Sequence, residues 1–225
     1  MDDVQVSLFG PRALLIRFAE EVNRQSLARC RGLLRSLEEN PLEGLDDVTP
    51  AYCSVLLEFR DSKRISAQLS KLDELLKSAQ ALPPEEAPLH EISVCYDGPD
   101  IEELARRNRL SVSDVAELHA LPIYNVFLIG FSPGFPYLGP LDPRLHVPRL
   151  DSPRSRVPVG SVAIGGEHTG IYSVASPGGW WLIGRTDREL FSLSKAREAG
   201  SREAFLLRQG DLVKFQAVGD LPSLK

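Results

Sequence analysis

The sequence predicts an α+β protein with two domains, a small mixed α/β domain followed by a β-rich domain. In the first part of the chain, apolar runs typical of strands alternate with stretches of helical periodicity. From residue 124 onward, short apolar runs alternate instead with turns that contain glycine and proline. Between the two patterns, the stretch LPPEEAP (82–88) has the composition of a linker. We therefore expect one domain over residues 1–84 and a second over residues 89–225.

The first domain is predicted to hold two strands and two helices in alternation. The runs ALLIRF (13–18) and YCSVLLEF (52–59) are typical of strands. Apolar residues at near-helical spacing over 22–37 predict a helix after the first strand. An amphipathic stripe predicts a second helix over 66–82.

The second domain begins with a predicted strand over 90–96 and two short helices over 100–109 and 113–120. Ser111 and Asp114 have the spacing of a capping box at the start of the second helix. The strands that follow are predicted over 124–131, 161–165, 171–175, 180–186, 189–193 and 211–218. Many short strands separated by turns indicate a β-barrel or a β-sandwich.

Composition and charge limit the classes of partner. The chain has 225 residues and a net charge of −5, with an isoelectric point near 5.5, which argues against nucleic acid or an anionic membrane. No apolar run approaches the ~20 residues that a membrane span requires. Three cysteines without a CxxC pattern, and a start without a signal-peptide pattern, predict a cytoplasmic protein with reduced thiols.

Turn-forming residues and arginine concentrate between residues 130 and 186. This block holds 10 of the 17 glycines, 8 of the 17 prolines, five arginines, three acids and no lysine. In PRSRVP, Arg154 and Arg156 share one face if the segment is extended. Because arginine presents a planar, permanently charged fork, these residues suit a carboxylate or a phosphate. The alternative is that they are surface arginines in salt bridges and that the turns only close the sheet.

Common catalytic motifs are missing. The sequence has no P-loop, no GxGxxG and no GxSxG, and GGEHTG (165–170) has the pattern of a hairpin tip. The four histidines form no HxxxH or HExxH pair, so no metal site is expected. The sequence therefore does not predict a self-sufficient hydrolase or kinase, and the catalytic residues remain unknown.

Four ordered motifs resemble one protein family. They are IGFSPGFPYLGPLDPRL, PRSRVPVGSVAI, TGIYSVASPGGWWLIGRT and GDLVKF. Together they resemble the B subunit of bacterial 5-oxoprolinase, a family also described as KipI-type and as allophanate hydrolase subunit 1-like. The resemblance is tight over 129–186 and looser elsewhere. It implies a ferredoxin-like domain followed by a cyclophilin-like β-barrel.

The resemblance also implies an activity and partners. Members of this kind work with 5-oxoprolinase A and C subunits in an ATP-dependent system that opens 5-oxo-L-proline, a small-molecule substrate, to L-glutamate. ATP would act through the complex, and this chain alone would be inactive. Other relatives inhibit a sporulation histidine kinase or serve in allophanate hydrolase-like enzymes, so a regulator and an accessory component remain alternatives. A prolyl isomerase would rest on barrel analogy alone.

The resemblance bears on the two adjacent tryptophans. The family pattern is Trp-x-Leu-Ile-Gly-Arg-Thr, so Trp180 is the shared residue and is expected to pack in the core. Strand alternation then places Trp181 on the other face, beside Arg185, where the family usually has a polar residue. His168 likewise replaces the usual glutamine. The residues predicted to bind substrate, an anion or a partner are Phe135, Tyr137, Arg154, Arg156, His168, Tyr172, Trp181 and Arg185.

Overall fold

The computed structural model describes residues 4–79 and 87–221. The chain divides into two compact units, Met1–Ala87 and Pro88–Lys225. Most of the predicted linker over 82–88 lies outside the described residues. The two units are therefore described separately.

The first unit is a four-stranded antiparallel sheet with two helices. Its elements are β1 (Gln5–Leu8), β2 (Ala13–Arg17), α1 (Arg24–Glu39), β3 (Leu45–Ala51), β4 (Ser54–Phe59) and α2 (Ser62–Ser78). The strand order is β1-β2-β4-β3. Alternate residues of β2 and β4, such as Ile16 and Leu57, pack against Leu33 of α1 and Leu72 of α2. The two helices therefore cover the same face of the sheet.

The first unit has two more strands than the predicted alternation of two strands and two helices, and its order also differs from the β-α-β-β-α-β order of the ferredoxin-like fold that the resemblance implied. Within the described residues, the order along the chain is β-β-α-β-β-α. Strand β1, which precedes the rest, occupies the sheet edge beside β2. The sequence pattern missed β1 because its residues are exposed, and missed β3 because it is a largely polar edge strand that contains Pro50.

The second unit is built on a seven-stranded curled sheet and a separate two-stranded sheet. Its helices are α3 (Ile101–Asn108), α4 (Val112–Ala120) and α5 (Leu193–Ala199). Its strands are β5 (Leu89–Val94), β6 (Ile123–Ile129), β7 (Pro136–Gly139), β8 (Arg154–Val157), β9 (Ser161–Gly165), β10 (His168–Ile171), β11 (Ser176–Gly178), β12 (Trp181–Arg185) and β13 (Leu212–Ala217). The large sheet has the order β12-β9-β10-β7-β6-β13-β5, and β11 pairs with β8.

The two outer strands of the large sheet meet. Cys95, which follows β5, exchanges two backbone hydrogen bonds of 2.9 Å with Arg185 at the end of β12. Further along, the Gly98 N–H donates to the Ile183 carbonyl oxygen. The sheet therefore curls until its edges are joined at this point, which satisfies backbone groups that an open edge would leave unpaired.

The large sheet carries a different cluster on each face. Trp181 and Ile183 of β12 belong to the main core, which α3 and α4 cover with residues such as Leu104 and Val115. Trp180 and Leu182 belong to a second, mostly aromatic cluster. The predicted alternation along this strand is confirmed.

A buried histidine, His119, lies in the main core. The His119 ring is fully buried, stacks on Phe215, and is hydrogen-bonded at Nδ1 to the Tyr96 hydroxyl and at Nε2 to the Thr169 hydroxyl, each at 2.7 Å. Burial lowers the pKa of His119 to about 3. The neutral imidazole is therefore a structural hydrogen-bonding group of this core.

Several predicted elements differ from the structure. The predicted strand over 171–175 is displaced, because pairing ends at Ile171 and resumes at Ser176. The stretch 189–193 contributes only a bridge at Phe191 before α5 begins. Strands β7 and β11 were not predicted because they are short and contain glycine and proline. Helix α5 was not predicted because it lacks a clear apolar stripe. The capping box at Ser111 is confirmed.

Candidate functional site

The second cluster brings together four aromatic side chains from separate parts of the chain, and we call these four the aromatic cluster: Phe135, Tyr137, Tyr172 and Trp180. Their ring centroids lie 5.1–5.6 Å apart, with near-perpendicular planes, around Phe135 and Trp180. Such edge-to-face contacts are favourable because the positive ring edge meets the negative ring face. Phe135, Tyr172 and Trp180 are buried, whereas Tyr137 is partly exposed.

Glycines make room for these rings. A Cβ at Gly165 would lie 2.6 Å from the Trp180 ring, and one at Gly178 would lie 2.1 Å from the Tyr172 hydroxyl oxygen. Real Cβ atoms do not approach other atoms this closely, so any side chain here would displace a ring. The density of glycine in this block therefore has a packing cause.

Two further aromatic side chains form the rim of the aromatic cluster, Phe131, which is exposed, and His168, which is partly exposed. His168, on the hairpin strand β10, lies 6.1 Å from Tyr137 between ring centroids. Phe131 lies 5.4 Å from Phe135, is 61% exposed, and has a φ of 70°. A phenylalanine in this left-handed region is uncommon and costs backbone strain.

Arg154 is held in place beside the aromatic cluster. Its guanidinium forms an ion pair with Asp100 and donates to the Trp180 carbonyl oxygen at 3.4 Å. The other carboxylate oxygen of Asp100 accepts the Leu182 N–H at 2.7 Å. Asp100 therefore joins the start of α3 to β12 and orients Arg154 with the same carboxylate.

The five arginines of the 130–186 block divide into two groups. Arg144, Arg154 and Arg185 each form an ion pair with a carboxylate. Arg149 and Arg156 are exposed and form no ion pair with any residue in the described parts of the chain. The last two are therefore the arginines whose charge is available to a ligand or a partner.

Tyr172 has an electrostatic environment that includes Arg149. Burial raises the pKa of Tyr172, and a hydrogen bond from the Trp180 backbone and the charges of Arg154 and Arg149 oppose that rise. The charges of Arg154 and Arg149 therefore act on the Tyr172 phenol, while burial has the largest effect on its pKa.

Two buried hydroxyl groups lie near the aromatic cluster. Ser132 Oγ, in the turn before Phe135, and Ser176 Oγ, on β11, have no hydrogen-bond partner among the described residues. A buried hydroxyl without a partner costs about 1–3 kcal/mol, so such groups call for a functional or solvent explanation.

The structure brings five of the predicted binding residues together: Phe135, Tyr137, Arg154, His168 and Tyr172. Arg156 lies two residues beyond Arg154 on β8 and forms no ring contact. Arg185 lies at the joined sheet edges, where it forms ion pairs with Asp97 at 2.9 Å and Asp220 at 3.6 Å.

The prediction that Trp181 is exposed beside Arg185 is wrong. Trp181 is only 5% exposed and packs in the main core. Its Nε1 donates to the Pro148 carbonyl oxygen at 2.8 Å, and the Arg107 guanidinium lies 5.0 Å from its ring centroid. Trp181 was expected at the surface because only one face of β12 was assigned to a core, whereas both faces of β12 are covered.

Sequence reasoning also missed functional candidates. Trp180 packs in the core as expected, and its place as a central ring of the aromatic cluster was not predicted. Asp100 lies far from Arg154 in sequence, and no local pattern connects them. Arg149 was counted in the arginine-rich block but carried no signal that separated it from its neighbours.

The block does not provide a phosphate cradle for ATP. The glycine-rich stretch 165–170 is the turn between β9 and β10, in which Gly165 pairs with His168, and a strand rather than a helix follows it. A phosphate-binding loop needs backbone N–H groups at a helix start and usually a lysine, which this block lacks. The residues around the aromatic cluster therefore do not fit the phosphates of a nucleoside triphosphate.

Among residues 4–79 and 87–221, no cluster of three or more histidine, cysteine or acidic side chains is arranged to hold a metal ion. None of the helices in these ranges is long and apolar enough to cross a membrane.

Comparison with known proteins gives consistent matches. Residues 4–200 match the family described as carboxyltransferase domain, subdomain C and D. The 5-oxoprolinase B subunit of Bacillus subtilis (strain 168) is 35% identical over 231 residues, covering 96% of this chain and 93% of that protein. The 5-oxoprolinase B subunit of Escherichia coli O157:H7 is 38% identical over 223 residues, covering 96% of each.

A solved structure shares the fold. The crystal structure of TTHA0988 is 39% identical to this chain and superposes with a TM-score of 0.81 over 95% of this chain. The match covers only 41% of that protein, so this chain spans about two-fifths of its length.

Proposed function

Since the chain belongs to the carboxyltransferase domain family, subdomains C and D, and within it to the 5-oxoprolinase B subunits, we propose that it is one component of an ATP-dependent 5-oxoprolinase. The enzyme opens the lactam of 5-oxo-L-proline to L-glutamate in the cytoplasm. The A and C subunits complete it, and this chain has no activity alone.

The observation that carries the proposal is the extent of the similarity. It spans nearly the whole of this chain and nearly the whole of two proteins named as the B subunit of 5-oxoprolinase. Similarity over both full lengths favours the same role more strongly than a shared domain does, because fold alone does not determine function.

A multi-subunit assembly is supported by the solved relative. In TTHA0988, the region that resembles this chain is part of a polypeptide more than twice as long. A unit that is joined to a second unit in one protein is often a separate, interacting subunit in another. We place ATP on the partner subunits, because the arginine-rich block of this chain does not fit a nucleotide.

The aromatic cluster and its rim are the proposed site of contact with substrate. Buried rings would hold the apolar atoms of a small cyclic amide, and Tyr137 and His168 are exposed enough to touch it. Arg154 and Arg156 supply positive charge to stabilise an oxyanion or to bind a partner carboxylate. Arg185 forms ion pairs with Asp97 and Asp220 of this chain, and we propose that it acts in assembly with the other subunits.

Co-expression tests this function directly. The chain is purified with candidate A and C subunits, and glutamate is measured after addition of 5-oxoproline with and without ATP. We expect glutamate only from the full set with ATP. Glutamate from this chain alone, or no glutamate from an intact three-subunit complex, would contradict the proposal.

A further inference from the structure

We propose that Arg149 binds the carboxylate of a small cyclic carboxylic acid at the rim of the aromatic cluster. The identity of that acid as 5-oxoproline rests on the function proposed above. Nothing in the sequence pattern distinguished Arg149 from the other arginines, and only its place in the fold does so.

The backbone on both sides of Arg149 is anchored to the segment 179–181, which carries Trp180 of the aromatic cluster and Trp181 of the main core. The Pro148 carbonyl oxygen accepts the hydrogen bond from Trp181 Nε1, and the Leu150 N–H donates to the Gly179 carbonyl oxygen, each at 2.8 Å. Gly179 immediately precedes Trp180. The base of the Arg149 side chain is therefore held against the segment that carries the central ring of the cluster.

The charge of Arg149 is available to a ligand and is near the cluster. It forms no ion pair in the described parts of the chain, whereas Asp100 already neutralises Arg154. Arg149 is also close enough to Tyr172 for its charge to act on the phenol. Arg156 is also exposed and forms no ion pair in the described parts of the chain, but its charge is not among those that act on the pKa of Tyr172.

The chemistry of the surroundings selects the ligand class. An arginine fork binds a carboxylate with two parallel hydrogen bonds. Tyr137 of the aromatic cluster is partly exposed and offers an apolar surface for a small ring. A cation and an aromatic surface together match a compact molecule with one carboxylate and an apolar ring.

The first experiment measures binding to the full chain by tryptophan fluorescence, since Trp180 lies in the cluster. The probes are 5-oxoproline and 2-pyrrolidone, which has the same lactam ring without the carboxylate. We expect 5-oxoproline to change the emission and 2-pyrrolidone not to. Arg149→Gln should weaken the binding of 5-oxoproline by about 10- to 100-fold, because charge-assisted hydrogen bonds are lost.

Arg188→Gln is the control, because Arg188 is an exposed arginine of the same unit that forms no ion pair in the described parts of the chain and is not part of the proposed site. It should change the affinity less than twofold. Equal binding of the two probes, wild-type affinity in Arg149→Gln, an equal loss in Arg188→Gln, or no response to any cyclic acid would overturn the inference.

A second experiment separates this inference from the proposed function. In the three-subunit complex, Arg149→Gln should raise the KM for 5-oxoproline at least tenfold and leave kcat nearly unchanged. If the intact wild-type complex makes no glutamate, the proposed function fails. The site still stands in that case if proline or another cyclic acid binds the chain and Arg149→Gln abolishes that binding. An active complex whose KM is unchanged by Arg149→Gln keeps the function and removes the site.

Discussion

Replacement of Trp181 by alanine should strongly destabilise the second unit. The ring is 5% exposed in the main core, hydrogen-bonds to the Pro148 carbonyl oxygen, and lies beneath the Arg107 guanidinium. A buried tryptophan removes about 200 Å² from water, which contributes up to about 5 kcal/mol. Truncation to alanine typically costs about 3–5 kcal/mol. Since domain stability is about 5–15 kcal/mol, we expect a marginal protein.

Urea unfolding followed by circular dichroism measures this loss. Trp181→Phe should cost about 1–2 kcal/mol, because it retains most of the apolar contact and loses the hydrogen bond. Leu121→Ala, at a side chain that is 67% exposed, serves as the control and should change stability by less than about 0.5 kcal/mol. If Trp181→Ala lost no more than this control, the assignment of Trp181 to the core would be refuted.

Buried groups lead to two more predictions. Because burial lowers the pKa of His119 to about 3, below its ordinary 6.5, the folded state disfavours the charged ring. The contribution of His119 to the free energy of unfolding should therefore fall by about 1.4 kcal/mol per pH unit between pH 6.5 and about pH 3, and His119→Gln should remove this part of the slope in urea titrations at pH 7 and pH 5. A wild-type protein equally stable at both values would contradict this. Gly178→Ala should cost about 1–3 kcal/mol of stability, measured by thermal melts, because its Cβ would lie 2.1 Å from the buried Tyr172 hydroxyl oxygen. Gly219→Ala is the control and should cost little, because the space around Gly219 is open. Equal melting temperatures of the two variants would refute the packing argument.

Local patterns predicted most of the buried elements of this fold. Strands β2, β4, β5, β6, β9, β12 and β13 and helices α1 to α4 were expected near their observed positions. These elements carry a clear apolar periodicity, since each buries one face against its own unit. The exposed edge strands β1 and β3 lack that periodicity, so no local pattern distinguished them from loops.

The candidate site was only partly predictable. Motif resemblance and charge directed attention to Tyr137, His168 and Arg154, and the structure brings these to one region. The reasoning placed Trp181 on the surface because a strand pattern reports alternation but does not report what covers each face. The pairing of Arg154 with Asp100 across 54 positions left no local trace.

The sequence by itself therefore determined the family and the change from an α/β pattern to a β-rich pattern along the chain, because these depend on residue order. It also determined that Trp180 and Trp181 lie on opposite faces, because side chains alternate along a strand with period two. Only the tertiary structure decided that both tryptophans are buried, which glycines make room for rings, and which arginines have a carboxylate partner. The physical reason is that burial and ion pairing depend on the summed contacts of segments distant in sequence. In this protein, those contacts hold Arg154 on Asp100 and leave Arg149, within the described parts of the chain, without an ion pair beside the aromatic cluster.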